Sequence, residues 1–151
     1  MAANRQPIWT KEANTGVDNG TTMSPTLTTA AADYTGISAN NALVCTAGSE
    51  DTFVVGLMFK AIGTNVASVA RMYVNNGATP ATATNNDFVD EISLPATTAS
   101  AVAATAGVPW YFGQTLAGSI NNGGNAQRLY VGLGTTVAAG WRVSKIEAKN
   151  F

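Results

Sequence analysis

The chain predicts an all-β fold, a β-sandwich or jelly roll of about eight short antiparallel strands. Three observations carry that prediction. Apolar and polar residues alternate through several short runs. Clusters of Gly, Asn, Asp and Pro punctuate the chain every 8–12 residues or so, the spacing of a sandwich or barrel. No segment shows the periodicity of an amphipathic helix, and no internal repeat is present.

Residues 1–25 read as an extended N-terminal arm and loop. The arm carries Arg5, Ile8 and Trp9 in NRQPIWT, and the polar turn chemistry of NTGVDNGTT follows. Residues 26–151 read as one β-sandwich domain, opening with a weak strand in SPTLTT. LVCT (43–46) predicts a short strand, and the charged turn GSED leads into TFVVGLMFKAI (52–62), the strongest strand signal in the chain. Period two puts Phe53, Val55, Leu57, Phe59 and Ala61 on one face. The opposite face, with Val54 and Met58, is also partly apolar, which predicts a central strand covered on two sides.

After Gly63-Thr64-Asn65, ASVARMYVN (67–75) places Val69, Arg71 and Tyr73 opposite Ala70, Met72 and Val74, and Asn75-Asn76-Gly77 signals a turn. DFVDEISLP (87–95) alternates with Phe88, Asp90, Ile92 and Leu94 on one face, and Pro95 closes it. The Ala-rich stretch 96–107 lacks long side chains to bury, so it reads as an extended connection rather than a helix. An aromatic run, Trp110-Tyr111-Phe112, precedes the NNGGN loop (121–125). QRLYVGLG then turns Leu129, Val131 and Leu133 inward against Arg128 and Tyr130, and GWRVSKIEAKNF closes the domain with Trp141 and Val143 on one face.

Composition bears on function mainly by exclusion. Ala, Thr, Gly and Asn make up about half of the 151 residues, and 11% are charged against roughly a quarter in an average domain. Eight Lys and Arg stand against nine Asp and Glu, so there is no basic footprint for phosphates and no polybasic membrane patch. Nucleic acid and membrane are not expected partners. The N-terminus lacks a secretion signal and no run is long enough to span a bilayer, which predicts a soluble protein made in the cytoplasm. Low charge suits a chain docked in an assembly, and it equally suits an ordinary Thr-rich β protein.

The absence of His removes the commonest general base and metal ligand. No catalytic residue, metal site or cofactor is expected. The single Cys45, with Leu43 and Val44 before it and Thr46 after it, reads as a buried small apolar residue. Asp90 and Glu91 point to opposite faces of one strand and cannot form a facing acid pair. Glu50-Asp51 in a turn reads as solvated charge. NNGGN lacks the Lys-Ser/Thr of a phosphate loop, and Asp18-Asn19-Gly20 does not complete a calcium loop.

Recognition candidates are aromatic. Trp110, Tyr111 and Phe112 suit a core or subunit contact or a stacking surface, and at least one of them must face the core. Trp9 suits an interface anchor or a latch on its own domain. Arg71, with its stem among Val69 and Tyr73, reads as a scaffold residue paired across strands with Asp90 or Glu91.

NRQPIWT, FVVGLMFKAIGTNVASVARMYVNNG, DEISLP and AAGWRVSKIEAKNF together resemble the small β-sandwich virion proteins of tailed bacteriophages, in particular capsid decoration or cement proteins. Residues 11–50 and 96–125 add little to the likeness. The resemblance implies a homotrimer on the outer surface of the virion, bound to the major capsid protein where its subunits meet. It carries no enzymatic residue across. Arg5, Ile8 and Trp9 would touch the capsid, with Trp110, Tyr111 and Phe112 as further interface residues. The alternative is a carbohydrate-binding head- or tail-fibre module that stacks sugars on Trp110 and Tyr111.

Overall fold

A computed structural model describes residues 11–12, 24–31, 34 and 37–150. Among the described residues nine strands form: β1 (Lys11–Glu12), β2 (Thr26–Leu27), β3 (Ala42–Thr46), β4 (Thr52–Ala61), β5 (Ser68–Asn75), β6 (Asn86–Leu94), β7 (Val108–Leu116), β8 (Arg128–Leu133) and β9 (Trp141–Asn150). A 3-10 turn at Ala83–Asn85 is the sole helical element among the described residues. Every pairing between these strands is antiparallel.

The first sheet runs β1-β9-β4-β7, with β2 also on β9, and the second runs β3-β8-β5-β6. With β1 and β2 counted as two pieces of one edge strand, the orders become first-eighth-third-sixth and second-seventh-fourth-fifth. This is jelly-roll connectivity, in which successive strands mostly alternate between the two sheets. β1 lies inside the 1–25 segment read as arm and loop, and its backbone pairs with the end of β9. Arg5, Ile8, Trp9 and Asp18-Asn19-Gly20 lie outside the described residues.

Leu57 and Phe59 of β4, Trp110 of β7, and Trp141 and Val143 of β9 pack with Ala70 and Met72 of β5 and Leu129, Val131 and Leu133 of β8 in one buried cluster. Each large side chain so removed from water contributes about 1.5–3 kcal/mol. Cys45 is buried in the same cluster, as its apolar neighbours predict. Leu129/Val131/Leu133 and Trp141/Val143 face inward as the alternation requires.

Two expected faces are overturned, both by β-bulges. On β4 the register slips against β7 and β9 between Val54 and Gly56, and Val55 is the extra residue against β9. Thr52 and Val54 therefore face the core before the slip and Leu57, Phe59 and Ala61 after it, while Phe53 and Val55 are turned away from it. The strand is central, between β9 and β7, but its outer face is only half-covered and Lys60 is exposed. Gly56 is required at the slip because a Cβ there would stand 2.4 Å from the Trp110 carbonyl oxygen. On β6 the extra residue is Val89: Met72 pairs with Asp90 but Tyr73 with Phe88. Phe88 thus leaves the Ile92/Leu94 face and joins the outer one.

One end of the sandwich is tied by Asn65, which is 3% exposed. Its Nδ2 donates to the Gly140 carbonyl at 3.0 Å, and its Oδ1 accepts from the amides of Ala139 at 2.9 Å and Gly140 at 2.8 Å. Its backbone exchanges hydrogen bonds with Thr97. The side chain thus satisfies three backbone groups on the approach to β9, in the turn where Gly140 takes φ 107°. Asn65→Ala strands the Ala139 and Gly140 amides, each costing about 1–3 kcal/mol when buried without a partner, while the Gly140 carbonyl keeps the Ile62 amide. We predict a loss of roughly 3 kcal/mol in urea unfolding with an unchanged m-value; a loss near zero would show that water replaces the amide.

Candidate functional site

The outer face of the second sheet carries the densest set of exposed recognition side chains. The Val89 bulge is what assembles it. With the parity of β6 shifted, Phe88 lies beside Tyr73, their rings 5.8 Å apart, and Tyr34, between β2 and β3, meets Phe88 edge-on at 5.0 Å. Tyr34 is 50% exposed, Val89 40% and Phe88 37%, while Tyr73 is fully buried beneath them. Tyr73 also pairs across the sheet with Tyr130 of β8.

Arg71 and Glu91 are direct cross-strand partners on β5 and β6. The Arg71 Nε donates to Glu91 Oε2 at 3.3 Å, and the guanidinium carbon sits 4.3 Å from the centre of the Tyr34 ring. The Tyr34 hydroxyl donates to the same Glu91 oxygen at 3.2 Å. Partial burial works against the Arg71 charge, but the contacts with Glu91 and Tyr34 outweigh it and hold the group above its ordinary pKa. Of the two carboxylates offered to Arg71 by the sequence, Glu91 is the partner, whereas Asp90 accepts from the Glu91 amide at 2.8 Å. Arg71 is therefore a scaffold residue that fixes Tyr34 by a cation–π contact and a shared carboxylate.

Beside Tyr130 lies a cleft of about 400 Å³, walled by Ile37, Ser38, Asn41, Pro80 and Ala81. Asn41 Oδ1 accepts from the Ser38 amide at 2.8 Å and from its hydroxyl at 3.1 Å, and its Nδ2 is buried without a partner. That donor has no accessible surface to offer a ligand in the cleft.

The aromatic run on β7 is divided by the strand's alternation. Trp110 is 6% exposed and packs against Phe59 and Phe112, so it is not available as a stacking platform. Phe112 is half-buried against the core. Tyr111 points outward at 67% exposure. Gly113, at φ 65°, takes the bulge that lets β7 resume pairing at Gln114.

Sequence reasoning missed Tyr34 and Ile37. A lone aromatic in ADYTG has no periodic context, and the position of Tyr34 over β5 and β6 is a long-range fact. Among the described residues no group of three or more His, Cys, Asp or Glu side chains could hold a metal ion. Among the described residues no helix is long and apolar enough to cross a membrane.

Asp51, read from the sequence as solvated charge, is instead an anchor for the 117–126 loop. It accepts from Asn121 Nδ2 at 2.8 Å and from the Gly118 amide at 2.9 Å, and these bonds, Asn121 first, hold its pKa below the ordinary value. A depressed folded pKa gives stabilisation that is complete above the unfolded value, about 3.9, and is lost as pH falls through the lower folded value. The Gly118 amide resonance should titrate in that acid window, and Asp51→Asn should abolish the titration; a Gly118 signal that ignores pH in the wild type would contradict the assignment. Comparison of the chain with protein-family models, with curated proteins and with solved structures gave no match.

Proposed function

We propose that this chain is a structural virion protein that binds the outer surface of a phage capsid and braces contacts between capsid subunits. The observation that carries the reading is the exposed Tyr34–Phe88 pair, held in place by the largely covered Arg71, together with the strand and turn pattern that resembles capsid decoration proteins. Tyr and Arg are the residue types that dominate protein interfaces. Here they are held by a packed sheet, so little ordering entropy is lost on docking. Jelly rolls serve in viral capsid and lectin domains alike, so the argument rests on the patch and not on the fold.

The work of such a protein is mass action. A ligand that binds the assembled shell but not free subunits lowers the free energy of the shell and opposes its disassembly. Several copies engaged on one lattice add avidity to individually modest contacts. The N-terminal arm, with Arg5, Ile8 and Trp9, would extend the grip beyond the patch.

The carbohydrate-binding reading is less well supported. It needs two stacking platforms, and the burial of Trp110 leaves Tyr111 alone. The cleft beside Tyr130 is mostly apolar at its rim, whereas a sugar site needs several convergent polar groups.

The test is direct. Expanded capsids lacking this chain are incubated with the purified protein, sedimented, and heated while being imaged by negative stain. Co-sedimentation and a higher temperature of capsid rupture are expected. Tyr34→Ala should weaken capsid binding at least tenfold with an unchanged circular dichroism spectrum, and deletion of residues 1–10 should abolish it. Full-length protein that stays in the supernatant would overturn the proposal.

A further inference from the structure

Asparagine followed by glycine is a reactive pair. The amide nitrogen after an asparagine can attack that side chain's Cγ and close a five-membered cyclic imide, and glycine leaves the nitrogen unshielded because it has no Cβ. Two such pairs are described, Asn76-Gly77 and Asn122-Gly123, while Asn19-Gly20 lies outside the described residues.

The fold treats the two pairs differently. Gly77, in the turn after β5, is buried, and its amide donates to Asn75 Oδ1 at 2.9 Å inside the protein. A Cβ on Gly77 would stand 2.7 Å from the Ala126 carbonyl oxygen and 2.8 Å from the Asn125 Cβ, so the turn is tightly packed. The Asn76 carboxamide is held as well: its Oδ1 accepts from the Ala78 amide at 3.0 Å, and its Nδ2 donates to Asn85 Oδ1 at 3.3 Å. Nitrogen and carboxamide are both committed there, and ring closure requires breaking a buried bond.

Gly123, in the 117–126 loop, is exposed, its amide donates to no other residue among those described, and nothing lies within 4 Å of the position a Cβ would take. The Asn122 Nδ2 donates to the carbonyl of Asn76 at 2.7 Å and to that of Asn125 at 2.6 Å. Both bonds are at the surface, where water replaces them as the loop opens locally. The attacking nitrogen is therefore free at 122–123 and locked at 76–77.

We infer that Asn122 is a site of spontaneous modification, converted to aspartate and isoaspartate through a cyclic imide closed by the Gly123 amide, and that the conversion releases the 117–126 loop from the turn after β5. The Gly123 nitrogen gives up its proton and bonds to Asn122 Cγ, the Cγ–Nδ2 bond breaks, and ammonia leaves. Water then adds to one or other carbonyl of the imide and opens it, so water is the only co-reactant and no electrons are exchanged. The product adds one negative charge to a chain of net charge -1. Its carboxylate meets the Asn76 and Asn125 carbonyl oxygens where a donor stood before, and oxygen against oxygen repels, so both ties of Asn122 are lost. The change is one-way, and it depends on nothing that the protein binds.

The test is to age the full chain at mildly alkaline pH and to read modification position by position, by peptide mapping and by labelling with an isoaspartate-specific methyltransferase. Product at 122 should accumulate roughly tenfold faster than at 76, the factor expected from giving up one buried hydrogen bond. Asn122→Ser should block modification at 122 alone. Asn122→Asp should speed hydrogen exchange of the Gly124 and Asn125 amides, which bond within the loop to the Ser119 and Asn122 carbonyls, by roughly tenfold with an unchanged circular dichroism spectrum. No product at 122, equal rates at 76 and 122, or wild-type exchange in the Asn122→Asp chain would overturn the inference.

Discussion

The burial of Trp141, Phe59 and Met72 between two sheets is the interaction on which the rest of this structure depends. These side chains come from β9, β4 and β5, and all are fully buried. Ala is the commonest residue of the chain but contributes little area when buried, so a few large side chains carry the hydrophobic driving force. They come from strands far apart in sequence: β9 pairs with β4 from Ala61↔Trp141 to Thr52↔Asn150. Because the inner layer alone holds the sheets together, the outer faces need not match one another. One outer face bears an aromatic and arginine patch, and one edge carries no charge at all.

Bulges are the means by which a core-driven fold releases side chains for other work. A regular β6 would have sent Phe88 inward with Ile92 and Leu94, where the close-packed interior would have had to find room for another ring. One extra residue, Val89, turns Phe88 outward onto Tyr73 and gives Tyr34 a ring to pack against. The slip at Val55 likewise lets β4 bury Val54 and Leu57 on the same side while accepting the close approach of Trp110 at Gly56. Exposed aromatics are costly on a monomer, so bulges that place them outside point to surfaces with a use.

The same bulges mark the limit of what the residues disclose. Strands without an interruption were legible from alternation alone: β8 and the start of β9 point the way their patterns demand, and the pairing of Arg71 with Glu91 follows from two charged residues on neighbouring strands. A bulge adds one residue without a compositional signature, so every face assignment beyond it inverts, as Phe53, Val55 and Phe88 illustrate. Tyr34 was illegible for another reason. Its contact with Glu91 spans 57 positions, a long-range pairing that local sequence does not encode. The number of strands was readable, but their order was not, because the pairings are non-local.

Low charge is what links the two outer surfaces. In a chain with 8 basic and 9 acidic residues, clearing charge from one long segment concentrates what remains elsewhere, and β6 holds three of the acids. One of these, Glu91, is neutralised by Arg71, leaving the patch near Tyr34 polar at its rim and apolar at its centre. A monomer that remained free in solution would gain from spreading those charges evenly, since net repulsion and guarded edges keep β proteins apart. The observed distribution does the reverse: it leaves β7 without charge and gathers three acids on β6, beside the exposed Tyr34 and Phe88.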